Sequence, residues 1–219
     1  MLHKSVPHSA REFFPAKLSL SAIRRAASGC KGCDLWKDAT QTVFGEGKNS
    51  AKVVLVGEQP GNEEDLSGKP FVGPAGRLLD RALVEAGISR SDCYVTNAVK
   101  HFKWEPRGKR RIHKKPGARE IAACRPWLEA ELSIVKPDVV VILGATAAQA
   151  IMGPAFRVTE MRGKPIHSEA AACIVATVHP SSILRAIDEE TRHREFERFV
   201  ADLKVAARIV LSAPSHSSR

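Results

Sequence analysis

The stretch KRRIHKKP, residues 109 to 116, sets one histidine among five basic residues. A neighbouring cation disfavours the imidazolium, so His113 is expected to stay neutral with a free lone pair. A neutral imidazole beside an anion-binding surface can act as a base, a ligand or a nucleophile. Two other short motifs carry similar potential. GEQPG, residues 57 to 61, would present Glu58 and backbone N–H groups, including that of Gln59, to a polar ring; read blandly, it is a strand-end turn. HPSS, residues 179 to 182, would aim His179 at a ligand and set Ser181 and Ser182, or their amides, on a phosphate. Its plainer reading is a proline-initiated turn whose hydroxyls cap a helix.

The cysteines add a metal question. Cys30 and Cys33 form a C-x-x-C chelating pair, and Cys124 falls on an expected helix near the basic stretch. A closed site needs a fourth ligand, and Cys93, Cys173 and His101 are candidates. From spacing alone, zinc and an iron–sulfur cluster both remain open, as does Cys124 being a small buried hydrophobe.

These residues need elements to hold them. Short, continuous apolar runs at 51–57, 93–99, 138–144 and 172–178 read as strands buried on both faces. Helices are expected at 18–27, after Pro74 up to Gly87, at 117–135 with Pro126 kinking or splitting it, in the short ATAAQAIMG segment, and at 192–211. Residues 1–17 read as irregular, 18–211 as a single domain, and 212–219 as a disordered tail. The alternation of strand and helix predicts an α/β three-layer sandwich around a central four-stranded parallel sheet. Ligands of such sheets bind at the carboxyl ends of strands. GEQPG, Asn97 and HPSS all fall at such ends.

The chain has 219 residues and a formal net charge of +10. Residues 100–119 hold nine Lys and Arg against the single acid Glu105, so most of the excess is local. A patch that dense fits phosphate, with a solvated loop or localisation signal as the bland alternative. No run of about eighteen apolar residues occurs, which leaves no membrane span. MLHKSVPHSAREFFP lacks the apolar core of a secretory signal, so a cytoplasmic protein with reduced thiols is expected, associated with the nucleoid when on DNA.

Together GEQPG, KPFVGPAGRLLD (69–80), VTNAVK (95–100) and HPSS resemble the iron–sulfur uracil-DNA glycosylases of the family-4 type. The KRRIH insert, with TNAVKHF and ACRPWL, is similar to the UdgX-type branch of that family. The resemblance covers roughly residues 28 to 205. It implies that Phe71 stacks on uracil, that Asn97 reads the polar edge of the base, and that His179 stabilises charge on the departing uracil at O2. Gln59 and Gly61 would offer backbone amides, and Ser181 and Ser182 would lie beside the substrate. Lys109, Arg110, Arg111, Lys114 and Lys115 would hold DNA phosphates. Cys30, Cys33 and Cys124 match three ligands of a 4Fe-4S cluster. The family's fourth cysteine is replaced here by His101, which is the expected ligand, with Cys93 as runner-up. Asn62 stands where these proteins often carry an acid, which puts a water-activating carboxylate there in question.

The implied activity is excision of uracil from DNA, single-stranded DNA being preferred or accepted and double-stranded DNA also possible, by a monomer. His113 would then capture C1′ of the sugar, with Glu58 orienting the imidazole and later accepting its proton, in a single turnover that ends as a covalent adduct. An ordinary multiple-turnover family-4 glycosylase is the alternative, as is a non-catalytic binder of uracil-containing or single-stranded DNA.

Overall fold

The computed structural model describes residues 9–168 and 171–212. Its strands are β1 (Glu46–Gly47), β2 (Val53–Gly57), β3 (Cys93–Asn97), β4 (Trp104–Arg107), β5 (Arg110–His113), β6 (Val139–Leu143), β7 (Pro165–Ser168) and β8 (Ala171–Thr177). Its helices are α1 (Leu20–Ala27), α2 (Asn62–Ser67), α3 (Pro74–Glu85), α4 (Ala118–Val135), α5 (Ala145–Met152), α6 (Val158–Met161), α7 (Pro180–Leu184) and α8 (Glu189–Ser212).

The four expected strands are present and mutually parallel, in the order β3-β2-β6-β8. The expected four-stranded sheet is, however, the centre of a six-stranded one. β1 adds antiparallel to β3 at one edge, and β7 adds antiparallel to β8 at the other, with a register shift between Ile166 and Ser168. Two residues of β1 and four of β7 are too few to stand out as apolar runs.

Alternation along the central strands splits the core into two halves. Val54, Val56, Tyr94, Val140 and Ile142 face α1, α4 and α5. Val53, Leu55, Val95, Val141 and Val175 face α3 and α8. These are the outer two layers of the expected sandwich. The described residues include no helix long and apolar enough to cross a membrane.

Several local expectations change. The basic stretch is a hairpin and not a loop: β4 and β5 pair antiparallel, with Trp104 opposite His113 and Arg107 opposite Arg110. Gly108, at φ +60°, supplies the left-handed backbone of its two-residue turn. Pro126 neither splits nor ends α4, because the flanking Cys124, Trp127 and Leu128 are all anchored in the core. The GEQPG turn leads directly into α2. Within 1–17, residues Ala10–Phe13 form a 3-10 turn that Ser9 caps, and Phe14 packs on Trp127 at 4.7 Å between ring centroids. Ser212, expected in the tail, ends α8. Residues 1–8 and 213–219 lie outside the described residues.

The core also holds a buried ion pair. Lys100, 1% exposed, donates from Nζ to Glu131 Oε2 at 2.5 Å, to Thr96 Oγ1 at 2.6 Å and to the Asn97 carbonyl at 2.8 Å. Glu131, fully buried, also accepts from the Tyr94 hydroxyl at 2.8 Å and the Gly45 N–H at 3.1 Å. Burial, and then the charge of Glu131, push the ionisation of Tyr94 up, so its phenol remains a donor.

Glu131→Ala would strand a buried ammonium and should cost about 3–5 kcal/mol, read as a lower urea midpoint. The double variant Lys100→Met/Glu131→Leu should recover only part of this, because the Gly45 N–H and the Tyr94 and Thr96 hydroxyls lose their acceptor. An unchanged midpoint in Glu131→Ala would show the pair to be energetically idle.

Candidate active site

The carboxyl ends of the parallel strands open into a cavity of about 620 Å³. Glu58, Phe71, Asn97, His113 and His179 line it, together with Gln59. The motifs from three strand ends therefore meet, as sheet topology requires.

The floor of the cavity is built by Asn97 and Phe71. Gly57 is paired in register with Asn97. A Cβ at Gly57 would stand 2.4 Å from Asn97 Oδ1 and 2.5 Å from the Phe71 ring, so only glycine lets the two side chains close over this backbone. Asn97 is 2% exposed, and among the described residues its Oδ1 finds no partner. A buried acceptor left without a donor costs free energy, which a ligand N–H would recover. Phe71 sits at φ +56°, a strained backbone for an aromatic residue. Its ring centroid lies 5.9 Å from that of His179. Glu64 clamps the walls: one oxygen accepts from the Gly61 N–H at 3.0 Å and the other from the Gly73 N–H at 2.7 Å.

The state of His179 follows from its neighbours. Its Nδ1 accepts from the Ser181 N–H at 3.2 Å, with the Ser181 hydroxyl at 2.8 Å. The ring proton is therefore on Nε2. Burial first, then the charges of Arg185 and His113, lower its pKa to about 4. His179 is thus a neutral donor near pH 7. Ser181 keeps it so, and Ser182 turns its hydroxyl back to the His179 carbonyl at 2.8 Å. The bland reading of HPSS holds in part: Pro180 opens α7, but its cap is the His179 side chain and not a serine hydroxyl.

His113 comes from the hairpin. Its Nε2 lies 3.4 Å from Glu58 Oε1 and 2.9 Å from Gln59 Nε2. The Gln59 side chain stitches the hairpin to the GEQPG turn: its oxygen accepts from the Lys103 N–H at 3.2 Å, and its nitrogen reaches the carbonyls of Lys114 at 2.9 Å and Lys103 at 3.2 Å. That orientation turns the amide N–H groups, and not its oxygen, towards His113. Sequence reasoning considered only the backbone of Gln59 and missed this role.

The basic patch divides. Lys109, Arg110 and Lys115 are exposed, and Lys114 is exposed while paired with Glu105 at 2.9 Å. Arg111 departs from its expected phosphate role. It turns inward to Asp65 at 2.6 Å, Asn62 at 2.8 Å and Thr40 at 3.1 Å, and its guanidinium lies over Phe102 and Trp104. Asp65 is fully buried, and a buried carboxylate claims the nearest cation more firmly than solvent phosphate does. Lys100 is likewise withdrawn into the core, and Lys103 is paired with Glu120 at 2.8 Å.

All five cysteines lie among the described residues and are free thiols. Cys30, Cys33 and Cys124 share the half of the core that faces α4. Burial raises Cys33 to about 11 and Cys124 to about 12, and neighbouring thiols of the same trio add to both shifts. Trp127 Nε1 and the Lys100 N–H each lie 3.3 Å from a sulfur, of Cys30 and Cys124 respectively. Cys93 and Cys173 sit on the opposite face of the sheet, which removes both as partners of this trio. His101 is on the right side. It is 5% exposed, and burial lowers its pKa to about 4. Thr42 gives its hydroxyl proton to the Ala27 carbonyl at 2.9 Å, so it accepts from His101 Nε2–H at 2.9 Å and leaves the lone pair on Nδ1. The same Ala27 carbonyl accepts the Cys30 N–H at 3.0 Å, which brings His101 close to the C-x-x-C turn. Among the described residues, no three His, Cys, Asp or Glu side chains converge as they would on one metal ion.

Comparison with known proteins agrees with this geometry. The family model described as the uracil DNA glycosylase superfamily matches residues 44–204. A Type-4 uracil-DNA glycosylase of Thermotoga maritima is 42% identical over 174 residues, which is 79% of this chain and 87% of that protein. The Type-4 uracil-DNA glycosylase of Sulfurisphaera tokodaii is 37% identical over 174 residues, 76% of each chain. That of Archaeoglobus fulgidus is 36% identical over 173 residues, 76% of this chain and 83% of the relative. With a six-stranded α/β sheet, a cavity at its strand ends, a family model matched over residues 44–204 and relatives matched along most of its length, the chain belongs to the uracil DNA glycosylase superfamily.

Proposed function

We propose that the chain excises uracil from DNA and captures the sugar that results on His113, as a UdgX-type enzyme. The observation that supports this reading is a single cavity lined both by Asn97, Phe71 and His179 and by the His113 imidazole, whose Nε2 lies 2.9 Å from the Gln59 amide and 3.4 Å from Glu58.

The uracil chemistry fits the wall. The N3–H of the base would meet the orphaned Oδ1 of Asn97, and O4 would meet its amide N–H. Phe71 would cover the ring. His179, neutral with its proton on Nε2, would donate to O2 as negative charge develops there. The target nucleotide must first leave its stack, which single-stranded DNA makes easier. The exposed Lys109, Arg110, Lys114 and Lys115 would hold phosphates beside it, and Arg111 would hold the hairpin instead.

As the C1′–N1 bond breaks, its electron pair leaves with uracil and C1′ becomes electron-poor. The His113 lone pair would form the new bond to C1′. The imidazolium so formed stands beside Glu58, whose carboxylate, 3.4 Å from Nε2, favours the cation. An N-alkyl imidazole has no facile path to water, so turnover would end there. The second reading, an ordinary glycosylase that sends water to C1′, draws equal support from the Type-4 relatives.

Cys30, Cys33, Cys124 and His101 suit a 4Fe-4S cluster: three buried thiols on one side of the sheet and an imidazole with a free lone pair. Such a cluster places its ligands on four separate irons, so they need not converge on one point. Bound there, it would supply a rigid crosslink between the N-terminal segment, α4 and the strand-end TNAVKH.

Incubated with a uracil-containing oligonucleotide, the wild type should give a complex that resists heat and SDS. His113→Ala should lose that complex yet still release uracil. His179→Ala should instead lose about one to three orders of magnitude in the rate of uracil release. A stable complex formed by His113→Ala would place the nucleophile elsewhere, and free abasic product from the wild type would favour the water-using reading.

Anaerobically purified protein should be brown and carry about four irons per chain. His101→Cys should keep them, by restoring the family's usual ligand. One zinc and no iron would refute the cluster.

A further inference from the structure

The segment Gly144–Thr146 has no role in the chemistry described above, yet it touches both halves of the site. β6 ends at Leu143, and Gly144, at φ +91°, turns the chain into α5. Its N–H is held by the Thr177 carbonyl at 2.9 Å, just before His179. A Cβ at Gly144 would stand 2.9 Å from the Cβ of His179, so the turn packs directly on that residue. Two residues on, Thr146 is 2% exposed, and its hydroxyl donates to Glu58 Oε2.

The two oxygens of Glu58 are thereby distinguished. One is fixed by Thr146 and the other is the oxygen nearest His113. A carboxylate with a single fixed oxygen cannot swing about its last torsion without breaking that bond. We infer that Thr146 is a positioning residue: its hydroxyl holds the Glu58 carboxylate towards His113, and so helps to decide whether the sugar is captured. This rests on the reading of His113 given above.

The reaction has no step on Thr146 itself, so its contribution is orientation. A hydrogen bond from a buried hydroxyl to a carboxylate is strong enough that its loss should slow capture about tenfold. Nothing in ATAAQAIM marks this threonine, because its partner lies 88 residues away.

The test compares Thr146→Val, which keeps the shape and removes the hydroxyl, with Thr146→Ser, which restores it. Two quantities are read on the full chain: the rate of SDS-stable adduct formation with a uracil-containing oligonucleotide, and the imidazole NMR resonances of His113 in the DNA-free protein. Thr146→Val should form adduct about tenfold more slowly, release a larger share of free abasic DNA, and shift the His113 resonances; Thr146→Ser should match the wild type in all three. Thr146→Ala carries the same expectation as Thr146→Val should the latter fail to fold. Wild-type adduct rate with unmoved His113 resonances in Thr146→Val would overturn the inference, and so would a Thr146→Ser variant as impaired as Thr146→Val. If the wild type itself forms no adduct, the capture reading fails, and the resonance comparison alone decides for or against Thr146.

Discussion

One buried charge organises this molecule. Every polar group of Lys100 is committed. Its N–H points to the Cys124 sulfur, its carbonyl accepts from the Val43 N–H at 2.8 Å, and its ammonium binds Glu131, Thr96 and the Asn97 carbonyl. Taking an ammonium and a carboxylate out of water is expensive, and the expense is offset only where geometry is good and the remaining lone pairs are satisfied. Glu131 meets that condition with donors from β3 and the segment before β1. The end of β3 is thereby fixed on both sides, with the cysteine trio behind it and Asn97 in front. The orphaned Oδ1 of Asn97 is tolerable because the strand that carries it cannot relax to find another partner.

The hairpin is tied by a different logic. It is a two-stranded ribbon outside the main sheet, and such ribbons are marginal alone. Gln59 joins it to the GEQPG turn, and Arg111 joins it to the buried Asp65. One cation of the run, Arg111, is therefore committed to anchoring, while the outward residues remain for solvent-side anions. The repulsion expected within KRRIHKKP is relieved because its third residue faces an acid in the interior.

What could be read from the sequence was what depends on local pattern. Apolar runs such as VVVIL marked the parallel strands, and topology then placed GEQPG, Asn97 and HPSS at one end of the sheet. Gly108 followed by Lys109 between alternating segments was a hairpin signal, and the density of charge around it obscured that reading. The inward turn of Arg111, the amide of Gln59 and the hydroxyl of Thr146 had no local signal. Each takes its meaning from a partner between 44 and 88 residues away. The opposite faces of Cys93 and Cys124 were legible in principle, from the two-residue period of β3, once the sheet's two sides are assigned to helices.

The edges of the sheet bear on how copies of the protein coexist. β1 is two exposed residues long, and β7 begins at a proline and is broken by a register shift. Neither presents a run of free N–H and C=O groups long enough to recruit a strand from another molecule. A cationic protein that gathers on a polyanion reaches high local concentration, where open sheet edges nucleate aggregates. Blunted edges close that route, so crowding alone would not join copies through the sheet.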